Sequence, residues 1–225
     1  MSYSEAFNPT IDTRVDGAVP QPEQSDQYEI GLKYEPPGTN VLFTLALYEL
    51  TQNNVQQRTT VSPITYEDVG NIQAKGVEFT AKADLSDTLH VIAGCSYNDI
   101  EYQGNINTAT LTARAGNTPV RSPNQLASLW VTSDVPKSVS AGLGARYVGK
   151  SYADAANDLE VPDYAVADAM VSVDLGAWAH KLEGMSLRVN ANNLFDKQYV
   201  ASCFAENYCY FGEQRNVTAT VDYRF

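Results

Sequence analysis

Few side chains in this sequence stand where they could do chemistry. His90 falls on an alternating stretch and His180 in a short turn, far apart on different predicted elements, and neither lies beside cysteines or acids at metal-ligand spacing. Both therefore read as structural or surface residues. The serines lack a nucleophile-elbow context. Gly142-Leu143-Gly144 sits inside a strand pattern, where it relieves packing, and not at a helix start where it would cradle phosphate. What remains is a binding chemistry: Cys203 and Cys209 lie close together in one loop that also carries Phe204, Tyr208, Tyr210 and Phe211. Aromatic rings and hydroxyls there either line a ligand pocket or pack the loop onto the wall beneath it.

The elements that must carry that loop are strands. The final stretch RNVTATVDYRF sets Val217, Ala219, Val221, Tyr223 and Phe225 against Asn216, Thr218, Thr220, Asp222 and Arg224, a period of two with one apolar face. A stretch of about 9–11 residues is the length of a tilted strand crossing a bilayer, with aromatics at the interface. The same alternation predicts strands over Gln27–Tyr34, Val41–Thr51, Gln73–Asp84, Thr88–Asp99, Pro123–Val135, Ser138–Gly149, Asp163–Leu175 and Met185–Leu194. Ser2–Phe7 reads as the end of one more. Cys95 falls on an apolar strand face, as a lone lipid-facing or packed thiol.

Loop length sorts by parity. Short turns are predicted at Glu35–Asn40, Leu85–Asp87, Pro136-Lys137 and the intermediate Gly176–Gly184; long polar loops at Asn8–Asp26, Gln52–Asn71, Ile100–Ser122, Lys150–Pro162 and Phe195–Gln214. Alternation of this kind is the pattern of outer-membrane barrels, with short periplasmic turns and long outer loops. A β-sandwich has shorter strands and no reason to sort its loops. With the long loops outside, the last strand runs downward and places Tyr223 and Phe225 at the periplasmic interface.

Composition agrees. No apolar run reaches about 18 residues, which excludes helical membrane spans. A mean hydropathy of −0.29 is compatible with a barrel, because half of each strand faces a polar lumen. The 14 tyrosines suit interfacial girdles. A net charge of −12 with only 15 scattered basic residues argues against nucleic acid. The opening MSYSEAF has neither a basic segment nor an apolar one, so no secretory signal is read there, and an exported chain would then be part of a longer protein.

Taken in order, several stretches resemble the C-terminal barrel segment of TonB-dependent siderophore receptors of the Gram-negative outer membrane. They are QYEIGLK at Gln27–Lys33, AKGVEF at Ala74–Phe79, RSPNQ at Arg121–Gln125, YVG at Tyr147–Gly149, VPDY at Val161–Tyr164, RVNANNLFDKQY at Arg188–Tyr199 and the terminal VDYRF. The stretch Asn190–Tyr199 is the most specific, and the Cys203–Gly212 segment is similar to the ferrichrome and hydroxamate-type receptors.

The resemblance implies an all-β, antiparallel transmembrane barrel of about 22 strands, of which this chain supplies the last nine or ten. The signal, TonB box, plug and first barrel half fall outside it. It implies import of a ferric siderophore with TonB-coupled energy, no enzyme activity, no cofactor beyond the transported chelate, and the outer membrane as location. The bilayer, TonB, the plug and the outer-membrane assembly machinery are the implied partners, with Phe225 and Tyr223 as the assembly signal. It further implies a Cys203–Cys209 disulfide and assigns Phe204, just after the first cysteine, to the siderophore pocket. Tyr208, Tyr210 and Phe211 are further candidates for that pocket, with packing of the loop onto the barrel wall as the other reading, and Tyr152 is a candidate on the preceding outer loop. The alternative is a stand-alone small barrel acting as a pore or adhesin.

Overall fold

The computed structural model describes residues 1–9, 14, 17–61, 64–68, 70–107, 112–135, 138–205 and 208–225. Strand β1 (Ser2–Asn8) is followed by β2 (Glu23–Tyr34), β3 (Val41–Asn53), β4 (Gln56–Val61), β5 (Ile64–Asp68), β6 (Ile72–Ser86) and β7 (Leu89–Tyr102). Next come β8 (Ile106–Asn107), β9 (Thr112–Ala113), β10 (Gln125–Val135), β11 (Val139–Val148), β12 (Ser151–Tyr152) and β13 (Glu160–Val161). After β14 (Tyr164–Asp174) a short 3-10 turn at His180–Leu182 leads to β15 (Met185–Asn192), β16 (Val200–Ala205), β17 (Tyr208–Phe211) and β18 (Asn216–Tyr223).

Ten of these strands form one antiparallel sheet in the order β1-β2-β3-β6-β7-β10-β11-β14-β15-β18, each beside its neighbour along the chain. The remaining eight pair off as β4-β5, β8-β9, β12-β13 and β16-β17, one hairpin inside each of four long loops. The sequence reads those stretches as long loops without strands; the strands found in them are only two to six residues long, too short for an alternation to stand out. All of the long connections leave the sheet at one end and the short ones at the other, as the parity of the loops predicts. The predicted Pro136-Lys137 turn lies outside the described residues.

Register makes the two faces chemically distinct. One row of directly opposed residues runs Val41, Ala83, Val91, Val131, Leu143, Ala169, Ala191, Val217, apolar across eight strands. The row two residues along runs Tyr34, Phe43, Ala81, Ala93, Leu129, Ala145, Ala167. On the opposite face a row reads Lys33, Thr44, Thr80, Gly94, Ser128, Arg146, Val166. Because side chains alternate strictly along each strand, a slip of one residue in any pair would carry charges such as Arg146 into the apolar belt, and register is thereby fixed.

Among the described residues no second layer covers the apolar face: Leu32, Leu143 and Val217 are 63, 64 and 61% exposed. A soluble sheet would bury that face, whereas a lipid-facing wall displays it. Cys95 shares it, in one row with Phe79 and Ala127, and is a free, exposed thiol. On the polar face Trp130 lies flat over β11: a Cβ on Gly144 would stand 2.1 Å from its Cε3 and one on Gly142 2.7 Å from its Cζ2. The glycine pair therefore makes room for an indole.

At the short-turn end of the polar face His90 Nδ1 is 2.7 Å from Asp84 Oδ1 and its Nε2 3.5 Å from Asp134 Oδ2, while Asp134 accepts from Ser140 Oγ. His180 pairs with Glu183, three residues on, in the exposed turn. Both histidines thus take the structural and surface roles expected of them.

Candidate functional site

The buried apolar side chains lie outside the wall's two faces for the most part, gathered among the outer loops. Tyr102 at the tip of β7, Ile106 and Ala113 of the β8-β9 hairpin, and Ala155 form one cluster, packed by Val55, Ile72 and Val120. Ala153, Val161 and Cys203 form a second, with Leu159 and Val200. The first cluster joins the loop after β7 to the loop after β11; the second joins that loop to the β16-β17 hairpin.

Hydrogen bonds seal the joints. Asn117 Nδ2 donates to the Ala155 carbonyl at 2.9 Å, and Asn157 both donates to the Thr118 carbonyl at 2.8 Å and accepts from its N–H at 2.7 Å. Asn157 holds a left-handed backbone, φ 63°, which asparagine tolerates because its short amide bonds locally. Three outer loops therefore form a single block.

The hairpin is anchored to the sheet by the NNLFDK stretch. Asn193, 2% exposed, donates from Nδ2 to the carbonyls of Lys197 and Glu213 at 2.8 and 2.9 Å, and its Oδ1 accepts from Lys197 N–H at 2.9 Å. Asp196 Oδ1 accepts from Arg215 N–H at 2.9 Å, so both ends of the loop are tied by two neighbouring side chains. Below them the Asn193 N–H donates to Asp168, whose carboxylate also takes a two-pronged bond from Arg146 at 2.7 and 3.1 Å. Tyr199 completes the base: its ring stacks 4.2 Å from Tyr164, and Gly212 passes so close that a Cβ would sit 2.0 Å from the ring's Cζ.

On this base stand the residues expected to bind. Cys203 and Cys209 are joined in a disulfide across the hairpin, as the resemblance implied. Tyr208 and Tyr210 project from one face of β17, their rings edge to face at 5.4 Å and the Tyr210 hydroxyl donating to that of Tyr208 at 3.3 Å. That bond raises Tyr210 above the ordinary tyrosine range, with the positive charge of Arg121 acting the other way. Phe211 is 81% exposed and Tyr208 57%, so packing onto the wall does not account for either ring. Phe204 belongs to β16, and its side chain lies outside those described.

Tyr152 stands on β12 within the same block, its ring 5.9 Å from the ammonium of Lys150. Lys150 bonds Glu160 at 2.8 Å, which raises it above the usual lysine range. Between Tyr152 and the hairpin lies Arg121, which the sequence marks only as the first residue of the RSPNQ stretch and not as a site residue. Its N–H donates to the Tyr152 carbonyl and its Nε to Ser202 Oγ, both at 3.0 Å.

Rings, hydroxyls and one guanidinium at an open mouth can hold an oxygen-rich ligand by apolar walls and a few hydrogen bonds. Among the described residues no three His, Cys, Asp or Glu side chains are grouped to hold a metal ion.

Comparison with known proteins agrees with this geometry. Residues 1–194 match the model of the family described as TonB dependent receptor-like, beta-barrel. The chain is 42% identical over its whole length to the Ferrioxamine receptor of Yersinia enterocolitica and 40% identical to the Ferrichrome outer membrane transporter/phage receptor of Escherichia coli K12. It spans 31% and 30% of those proteins, about a third of their length. The crystal structure of the siderophore receptor PiuA from Acinetobacter baumannii superposes with a TM-score of 0.80 at 27% identity, over 98% of this chain and 33% of that one. A single antiparallel wall, apolar on one side and roofed by packed outer loops, and a family match over most of the sequence lead to one conclusion: this chain belongs to the TonB-dependent receptor β-barrel family.

Proposed function

We propose that this chain forms the C-terminal wall and part of the outer mouth of an outer-membrane receptor that imports ferric siderophores of the hydroxamate class. The mouth captures the chelate; a plug within the barrel and TonB beyond it, both outside this chain, supply the gate and the energy. The observation that carries the reading is the exposed ring set on the disulfide-closed hairpin, held over a lipid-facing wall by three interlocked loops. The identity, over the whole of this chain, to the matching third of receptors named for ferrioxamine and ferrichrome supports the ligand class. The rings suit a neutral, amide-rich chelate, for which apolar surface and a few donors suffice.

Transport belongs to the complete barrel. The ten-strand sheet is open, with β1 and β18 each presenting an unpaired edge, and an open edge in lipid costs several kcal/mol for each unsatisfied backbone group. A self-contained pore or adhesin would need those two edges paired with each other. Phe225 and Tyr223 are the segment we assign to recognition by the assembly machinery. The domain layout follows: the plug and the first barrel half belong to the region of the relatives that this chain does not span.

The test is growth of an iron-starved strain lacking its own hydroxamate receptors, fed one siderophore at a time. It receives either this chain alone or the Yersinia enterocolitica receptor with this chain in place of its matching third. Growth of the chimaera on ferric hydroxamates and not on catecholates is the expected result, with none from the chain alone. A surface-displayed chimaera that grows on no hydroxamate overturns the ligand class, and growth from the chain alone overturns the need for the remainder.

A further inference from the structure

On the apolar face one stretch of the wall is hollowed. Phe79 on β6, Cys95 on β7, Ala127 on β10 and Tyr147 on β11 oppose one another across four neighbouring strands. The outer two of these side chains are rings, and the inner two are only a thiol and a methyl. Adjacent strands stand about 4.8 Å apart, so the rings flank a low floor two strands wide. A recess of about 300 Å³ lies there, bounded toward the outer loops by Tyr97 and Gln125, which oppose each other in the row above. On the other side, below Cys95, Ala93 stands opposite Ala81, and neither is large enough to cap the hollow.

Charges fix the height of this recess in the membrane. The row directly above Tyr97 reads Glu49, Lys75 and Asp99, with Lys75 paired to Glu49 at 3.8 Å. Such groups are costly in hydrocarbon and mark the level of the lipid headgroups, while Tyr97 and Tyr147 take the interfacial place that tyrosine favours. The hollow therefore starts where the acyl chains of the outer leaflet start. Lipid is as apolar as leucine, so attraction to the wall within the membrane comes from packing and not from the hydrophobic effect. An empty hollow forfeits the contacts of its lining, which a flat wall does not. Because the recess is continuous with the lipid-facing wall on every side, what fills it comes from the bilayer.

We propose that the recess between Phe79 and Tyr147 seats one acyl chain of an outer-leaflet lipid, held more tightly than the lipids around it. The Tyr97 hydroxyl and the Gln125 amide stand at the level of that lipid's ester oxygens, where a ring with a polar tip and a donor are both of use. The site belongs to the outer surface of the wall and is independent of which chelate the mouth takes.

The test uses the chimaera carrying this chain, because the chain's own edges need the rest of the barrel. It is reconstituted into vesicles of saturated phosphatidylethanolamine and phosphatidylglycerol and taken up again in mild detergent, and native mass spectrometry counts the phospholipids each receptor keeps. Ala127→Trp fills the floor of the recess, and that variant should keep one lipid fewer than the parent. Ala191→Trp, the same change elsewhere on the apolar face, should keep the parental number. Alkylating Cys95 of the folded parent with a bulky maleimide fills the hollow without touching assembly, and should also remove one lipid. The same count in the parent, in Ala127→Trp and in the alkylated protein overturns the inference, as does an equal loss in Ala191→Trp. Growth on ferric hydroxamates reads the proposed function separately, and that reading stands whichever way the lipid count falls.

Discussion

Asn193 and Glu213 stand at opposite ends of the longest outer loop of the C-terminal half, and one side-chain amide joins them: Asn193 Nδ2 donates to the Glu213 carbonyl at 2.9 Å while also holding the Lys197 carbonyl. The amide closes the loop at its neck, so the hairpin above moves as a unit with the sheet below.

Replacing Asn193 with alanine removes that closure and strands buried carbonyls. Each buried polar group left unsatisfied costs about 1–3 kcal/mol, and alanine is also less at ease than asparagine at φ 48°. Limited proteolysis should cut the 195–214 stretch several times faster in the variant, with the sheet's heat-stability lowered less than the loop's protection.

Asp168 sits beneath Asn193 and is 8% exposed, with Arg146 as its charge partner. Asp168→Asn keeps the shape and removes the charge. Because the Arg146 side chain is 52% exposed, solvent screening limits the loss to about 1–2 kcal/mol. A double-mutant cycle with Arg146→Gln, read as unfolding midpoints in detergent, should return a coupling of about 1 kcal/mol; purely additive effects would show that the pair contributes nothing.

The indole of Trp130 fits only over bare backbone. Gly144→Ala should lower stability by about 1–3 kcal/mol through overpacking, and Trp130→Leu in the same chain should recover most of that loss. Equal destabilisation in the single and double variants would place the glycine's role in the backbone and not under the ring.

Alkylation without reduction should label Cys95 alone, and after reduction all three cysteines, as read by intact mass. Reduction should also loosen the hairpin, since so short a closed loop is stabilised by about 2 kcal/mol in the chain-entropy model. Three labelled thiols in the unreduced protein would rule out the bridge.

The wall was legible in the sequence because lipid on one side and a polar lumen on the other impose a two-residue period that runs through whole strands, as in Val217, Ala219 and Val221. Strand ends were less so: β2 begins at Glu23 and not at Gln27, since Glu23–Asp26 pairs with β1 beyond the apolar belt, where nothing forces alternation. The outer hairpins β4-β5 and β12-β13 escaped for the same reason. At the mouth, exposed tyrosines beside two cysteines announced themselves by type. Arg121 did not, because what singles it out is a backbone angle and two contacts from loops distant in the chain. Asn193 lay within the most recognisable stretch, yet its work is done on a carbonyl 20 residues away.

The open sheet carries a rule of arithmetic. Ten antiparallel neighbours in sequence order leave β1 and β18 pointing in opposite directions. Whatever closes the ring must therefore present edges that also run oppositely, which only an even number of further strands provides; an odd number would force one seam to be parallel. For a barrel of about 22 strands the complement is about twelve, and each of its two seams must match a register whose in-and-out alternation this chain has already set.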